Sequence, residues 1–194
     1  MTREELEHII RASATVTNQY EFVIVGSQSI LGSVPHPEEV FTVSAEADIY
    51  PLHAPELAEK IEGALGEGSH FHETHGYYAQ GVGPETAVLP AGWMSRVHRV
   101  QTETTNGRVG YCLEVTDLFM SKAVAGREKD RLFCIALWCD GPQMRASRSI
   151  STYLGTFSGG RSSQVAAGMP FSALAIRPMA RSNWLSQKLR DFSP

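Results

Sequence analysis

The chain has 194 residues, 42% of them hydrophobic and 20% charged, with a formal net charge of -4. That balance fits one domain with a real core, with room for an appendage. It leaves no room for a membrane span, since no apolar run approaches the ~20 residues required.

The amino terminus, Met1-Thr2-Arg3-Glu4-Glu5, lacks the basic start and apolar stretch of a signal peptide, so a cytoplasmic protein is expected. Thr2-Arg3-Glu4-Glu5 has the form of a capping box, and Leu6, Ile9, Ile10 and Ser13 then mark one helical face. The spacing predicts a helix over residues 3–14. Tyr20 to Val25 is a β-rich apolar run and reads as a buried strand. Gly26-Ser27 turns the chain, Gln28 to Leu31 starts a helix, and Pro35-His36-Pro37 breaks it. Val43 to Tyr50 reads as a second strand. Ala54 to Leu65 reads as an amphipathic helix, with Leu57, Ile61 and Leu65 on one face and Gly66 placed to stop it.

His70-Phe71-His72-Glu73-Thr74-His75-Gly76-Tyr77-Tyr78 predicts a hairpin-like segment turning near Gly76. Pro90-Ala91-Gly92-Trp93 is a loop, Arg96 to Thr102 a strand, Asn106-Gly107 a turn, and Val109 to Leu113 a short strand. Asp117 is the expected N-cap of the longest helix, Leu118 to about Trp138. On one continuous helix Lys122 and Lys129 would differ by only ~20° around the axis and share a stripe with Asp130. After Asp140 the pattern dissolves. Residues 1–140 carry a charge balance of -10 and residues 141–194 one of +6, with Ser158-Gly159-Gly160-Arg161 at the centre of the tail. Residues 141–194 are expected to form a basic, Ser/Gly-rich and poorly ordered extension. Cys112, Cys134 and Cys139 are odd in number and show no CxxC spacing, which fits a reducing compartment.

The chemistry concentrates in the second strand. Residues two apart on a strand share a face, so Glu46 and Asp48 stand side by side there. Paired carboxylates repel unless a cation or a proton lies between them. Magnesium typically takes one or two carboxylates together with substrate phosphates. The alternative is a solvated strand face carrying two acids. Gly26-Ser27 offers backbone N–H groups and a hydroxyl suited to a triphosphate, or is simply a turn. Lys122 could offset phosphate charge, or belong to a solvated face with local pairs such as Arg127 with Asp130. His70, His72 and His75 show no H-E-x-x-H pattern, and loop histidines or proton transfer are the better reading of them. Walker A, G-x-S-x-G and G-x-G-x-x-G motifs are all absent from the chain.

Taken together, strand-Gly26-Ser27, Glu46-Ala47-Asp48-Ile49-Tyr50-Pro51, Gly76-Tyr77-Tyr78-Ala79-Gln80-Gly81, Leu89-Pro90-Ala91-Gly92-Trp93 and Ser121-Lys122 through Lys129-Asp130 resemble the DNA polymerase beta-type nucleotidyltransferase superfamily. They resemble more closely an uncharacterised bacterial group related to abortive-infection toxins. The resemblance covers about residues 3–139. It implies an α+β fold with a small mixed β-sheet flanked by helices. It implies a magnesium-dependent nucleotidyltransferase that moves a nucleoside monophosphate from a nucleoside triphosphate to an unidentified acceptor, RNA or protein. On that likeness Glu46 and Asp48 are metal ligands and, with Lys122, catalytic. Gly26, Ser27, Lys122 and Lys129 meet the nucleotide, and Asp130 is a polar partner. The superfamily carries a third acid on a neighbouring strand, for which Glu103 and Glu114 are the nearby candidates. The alternative reading is a catalytically degenerate member that binds a nucleotide or a protein, as in a toxin–antitoxin or defence pair.

Overall fold

The first helix, α1 (Arg3–Thr17), begins at the expected capping box. The Thr2 hydroxyl accepts from the Glu5 N–H at 3.2 Å, and the Glu5 carboxylate accepts from the Thr2 N–H at 2.7 Å. Leu6, Ile9, Ile10 and Ala14 form its buried stripe, which runs three residues further than the sequence pattern predicts. This computed structural model describes residues 1–140. The expectation for the basic tail falls outside the described residues.

Five strands follow in one mixed sheet of order β3-β2-β1-β5-β4. They are β1 (Glu21–Val25), β2 (Glu46–Pro51), β3 (Tyr78–Gly81), β4 (His98–Val100) and β5 (Val109–Cys112). β1 runs parallel to β5 and antiparallel to β2, while β2 and β3 are parallel. Four of the five β1 side chains are buried, as befits the central strand. Phe22 and Ile24 share a face with Ile49 and Ala47 of β2 and with Gly110 and Cys112 of β5. α1 covers that face, and a side chain on Gly110 would run into Ile10. α2 (Ala58–Leu65) lies beside α1 and over β3. The opposite face carries Val23, Val25, Tyr50 and the two acids of β2. The fold is therefore α+β, a mixed sheet flanked by helices. Among the described residues no helix is long and apolar enough to cross a membrane.

Three expectations are corrected. The segment expected to form a hairpin near Gly76 is a short helix, α3 (His70–His75), running into β3. Ser69 caps its start by accepting from the His72 N–H, and Gly76, at φ 77°, closes its end. Two caps outweigh the alternation of His70 and His72. The single long helix is two, α4 (Val115–Ala125) and α5 (Glu128–Asp140). Gly126 takes the left-handed conformation at φ 64° and returns its N–H to the Lys122 carbonyl at 3.1 Å, so it ends α4. Asp117 is not the cap. Glu114 fills that role, its carboxylate accepting from the Thr116 N–H at 2.7 Å. Elsewhere the strands and α2 keep their predicted type with shifted ends. The Gly26-Ser27 turn opens a 3-10 helix, Ser27–Gly32, and Pro55–Leu57 is a 3-10 turn leading into α2.

Asp117 is fully buried and takes a two-pronged bond from Arg96, Nε to Oδ2 at 2.8 Å and a terminal nitrogen to Oδ1 at 2.7 Å. The pair fastens α4 to the loop before β4. Truncating the arginine strands a buried carboxylate, which costs far more than the pair itself contributes. Arg96→Met is expected to lower stability by about 3–5 kcal/mol, and adding Asp117→Asn to recover part of it. Urea unfolding of the two variants measures both.

Candidate functional site

Glu46 and Asp48 stand on the sheet face opposite α1 and α2, while Ala47 and Ile49 between and beside them are buried in the core. The sequence places both acids on one face, and the register decides what surrounds them. Asp48 lies across from Val25, the last residue of β1 before Gly26. Gly26 adopts φ 68° and ψ -166°, a conformation open to glycine almost alone. A side chain there would also collide with Oδ2 of Asp48. The turn thus lays bare backbone against the carboxylate. Gln28 donates to the Ser44 carbonyl at 3.1 Å, and the Ser29 hydroxyl accepts from the Leu113 N–H. The turn is thereby pinned to the entry of β2 and to the exit of β5. Ser27 is half-buried at the head of this turn.

Burial pushes the Asp48 carboxyl up to about 6, and the neighbouring Glu46 charge pushes the same way. Lys122, Lys129 and Arg127 pull against them without prevailing. Glu46 pairs in register with Tyr78, whose hydroxyl donates to Oε2 at 3.1 Å. Burial and this carboxylate together push the Tyr78 phenol up to about 12, so it remains a donor. The other Glu46 oxygen lies 3.9 Å from Nζ of Lys129.

The cations come from the α4–α5 corner. Because Gly126 breaks the helix, Lys122 and Lys129 do not share a helical stripe as expected. Lys122 is instead buried at the end of α4 and bonds Oδ1 of Asp130 at 3.0 Å. Arg127 bonds Oδ2 of the same aspartate at 2.6 Å, the local pair that the sequence suggests. Burial alone would raise the Asp130 carboxyl, but the bonds from Arg127 and Lys122 outweigh it and hold it below the usual range. Lys129 points outward, its side chain 66% exposed.

Neither candidate third acid joins the pair. Glu103 sits in the turn between β4 and β5, and Glu114 is spent capping α4. One step past the Ile24–Cys112 register places Leu113 beside Val25, and Leu113 is fully buried. Among the described residues no group of three or more His, Cys, Asp or Glu side chains could hold a metal ion. The histidines divide between the two faces. His72 lies against the Tyr78 ring at 4.7 Å, whereas His75 and Phe71 pack with His8, whose Nδ1 is 2.7 Å from the Tyr77 hydroxyl. Cys112 and Cys134 are free and buried, their thiols pushed up to about 12 by burial, so neither is a nucleophile.

Sequence reasoning missed the Tyr78–Glu46 bond, because strand pairing across 32 positions leaves no local trace. It also missed the break at Gly126, for which the glycine followed by a polar run was a usable signal.

The strand-to-glycine turn, the acid-x-acid strand beside it and the lysine–aspartate corner thus lie within one mixed-sheet fold. The family model described as "Nucleotidyltransferase of unknown function (DUF6036)" matches residues 4–136, and the chain belongs to that family. The match spans every candidate site residue. No curated protein and no solved structure matches the chain significantly.

Asp48 also makes stability depend on pH. Its carboxyl titrates higher in the folded chain than in the unfolded one, so the native state holds the extra proton between about pH 4 and 6. The contribution of Asp48 to stability falls as pH rises through that window and stays lower above it. In EDTA, Asp48→Asn is expected to be more stable than the parent by roughly 1–3 kcal/mol at pH 7.5, with the gap closing by pH 4. Chemical denaturation at the two pH values tests this.

Proposed function

We propose that the chain transfers a nucleoside monophosphate from a nucleoside triphosphate to an acceptor hydroxyl with the help of magnesium. The observation that carries this reading is the Asp48 carboxylate seated against the Gly26 backbone, with Glu46 two residues away on the same face.

The donor set fits a magnesium ion. Two carboxylate oxygens are the hard ligands it prefers, and it completes its shell with water and substrate phosphate. Asp48 is raised first by burial and next by the Glu46 charge, and a cation beside the pair would offset both. Glu46 and Asp48 would hold the ion, which when bound neutralises phosphate charge and polarises the phosphoryl group. Gly26 and Ser27 would seat the phosphates on backbone N–H groups at the head of the 3-10 turn. Lys129, exposed and only 3.9 Å from Glu46, would meet the triphosphate directly. Lys122 would contribute field from its buried pair with Asp130, which also holds the α4–α5 corner in place. The acceptor oxygen bonds the α-phosphorus, the bond to the bridging oxygen breaks, pyrophosphate leaves and the acceptor proton passes to water.

A second reading is a binding protein without transfer activity, favoured by the lack, among the described residues, of a third His, Cys, Asp or Glu grouped with the acid pair. Calorimetry with a nucleoside triphosphate separates the two. Binding that requires magnesium and disappears in Asp48→Ala supports the enzyme. Binding indifferent to both supports the binder. With α-labelled nucleoside triphosphates and candidate RNA and protein acceptors, Asp48→Ala is expected to lower label transfer roughly 100-fold or more while circular dichroism is unchanged. Undiminished transfer by that variant would refute the assignment.

A further inference from the structure

Glu46 is gripped from two sides. Tyr78 donates to Oε2 at 3.1 Å from the neighbouring strand, and Lys129 approaches Oε1 at 3.9 Å from α5. The two grips differ in kind. Lys129 is a flexible, exposed cation, which a bound triphosphate would draw away. Tyr78 is half-buried on β3, and the parallel register sets it directly beside Glu46. Its ring rests on His72 at 4.7 Å, tilted by 50°. His72 is held in turn, its ring Nδ1 accepting from the Gly68 N–H at 3.0 Å and its backbone N–H donating to the Ser69 hydroxyl at 3.2 Å. A line of contacts therefore runs from the loop before α3, through two rings, to one carboxylate oxygen of the acid pair. Groups that bond a liganding carboxylate orient it, and their loss weakens metal binding without unfolding the protein.

We propose that Tyr78, backed by His72, is a positioning residue that holds the Glu46 carboxylate where it and Asp48 take a divalent cation together. This rests on Glu46 and Asp48 being the cation ligands. Mn2+ is the probe, titrated into the whole chain and followed by the electron spin resonance signal of the free ion. Tyr78→Phe keeps the ring on His72 and removes only the hydroxyl. It is expected to weaken Mn2+ binding about 10-fold with no change in thermal midpoint. His72→Ala, which leaves the hydroxyl but removes its backing, is expected to weaken binding several-fold. Parental Mn2+ affinity in Tyr78→Phe, together with lost binding in Asp48→Asn, overturns the positioning role and leaves the cation reading standing. Weakened binding that tracks a lowered midpoint also overturns it, because the hydroxyl then serves stability. No Mn2+ binding by the parent chain overturns both.

Discussion

The contact between the Asp48 carboxylate and the backbone of Gly26 constrains more of this structure than any other. It can exist only if residue 26 has no side chain and takes a conformation that other residues avoid. It also demands that β1 and β2 pair antiparallel in one register, with Val25 opposite Asp48. A slip of one residue would turn both acids into the core and bring Ala47 and Ile49 out. The hydrophobic pattern of β2 thus enforces the register, and the register creates the site. Gln28 and Ser29 then tie the turn to both neighbouring strands.

A second constraint is charge. The acid pair is crowded and partly dehydrated, which raises Asp48, and the α4–α5 corner answers it with three cations. These cations are not equivalent. Lys122 and Arg127 are committed to Asp130, a buried carboxylate that joins α5 to the end of α4, while Lys129 is exposed and reaches toward Glu46. Gly126 makes the difference. By ending α4 it folds the chain back so that Asp130 reaches Lys122 from α5. The helix that was expected to be continuous could have aligned the lysines but not turned one inward and one outward.

Much of the architecture was legible along the chain. α1 follows from its capping box and stripe, β1 from its apolar run, β2 from its alternation, and the turn near Asn106 from Asn-Gly, whose residues take φ 52° and 71°. The errors fell where short signals compete. α3 is too brief for periodicity to reveal it, and its two caps carry the decision. Asp117 has a capping residue's chemistry, yet Arg96 claims it from 21 positions away. Of the candidate site, the acids and the glycine turn were visible because strand period and turn chemistry are local properties.

By itself, then, the sequence determined that Glu46 and Asp48 share a face, that a glycine turn precedes them, and that lysines and an aspartate recur in a later helical region. Membership of the nucleotidyltransferase family rests on the family model that matches residues 4–136. Only the tertiary structure decided that Tyr78 holds Glu46, that Lys122 is neutralised by Asp130 while Lys129 is not, and that Glu114, one of the two candidate third acids, caps α4 instead. The physical reason is range. Alternation, caps and turns are set by neighbours a few residues apart, whereas strand register and helix docking join residues tens of positions apart, and those pairings set the charge and the grip on each acid.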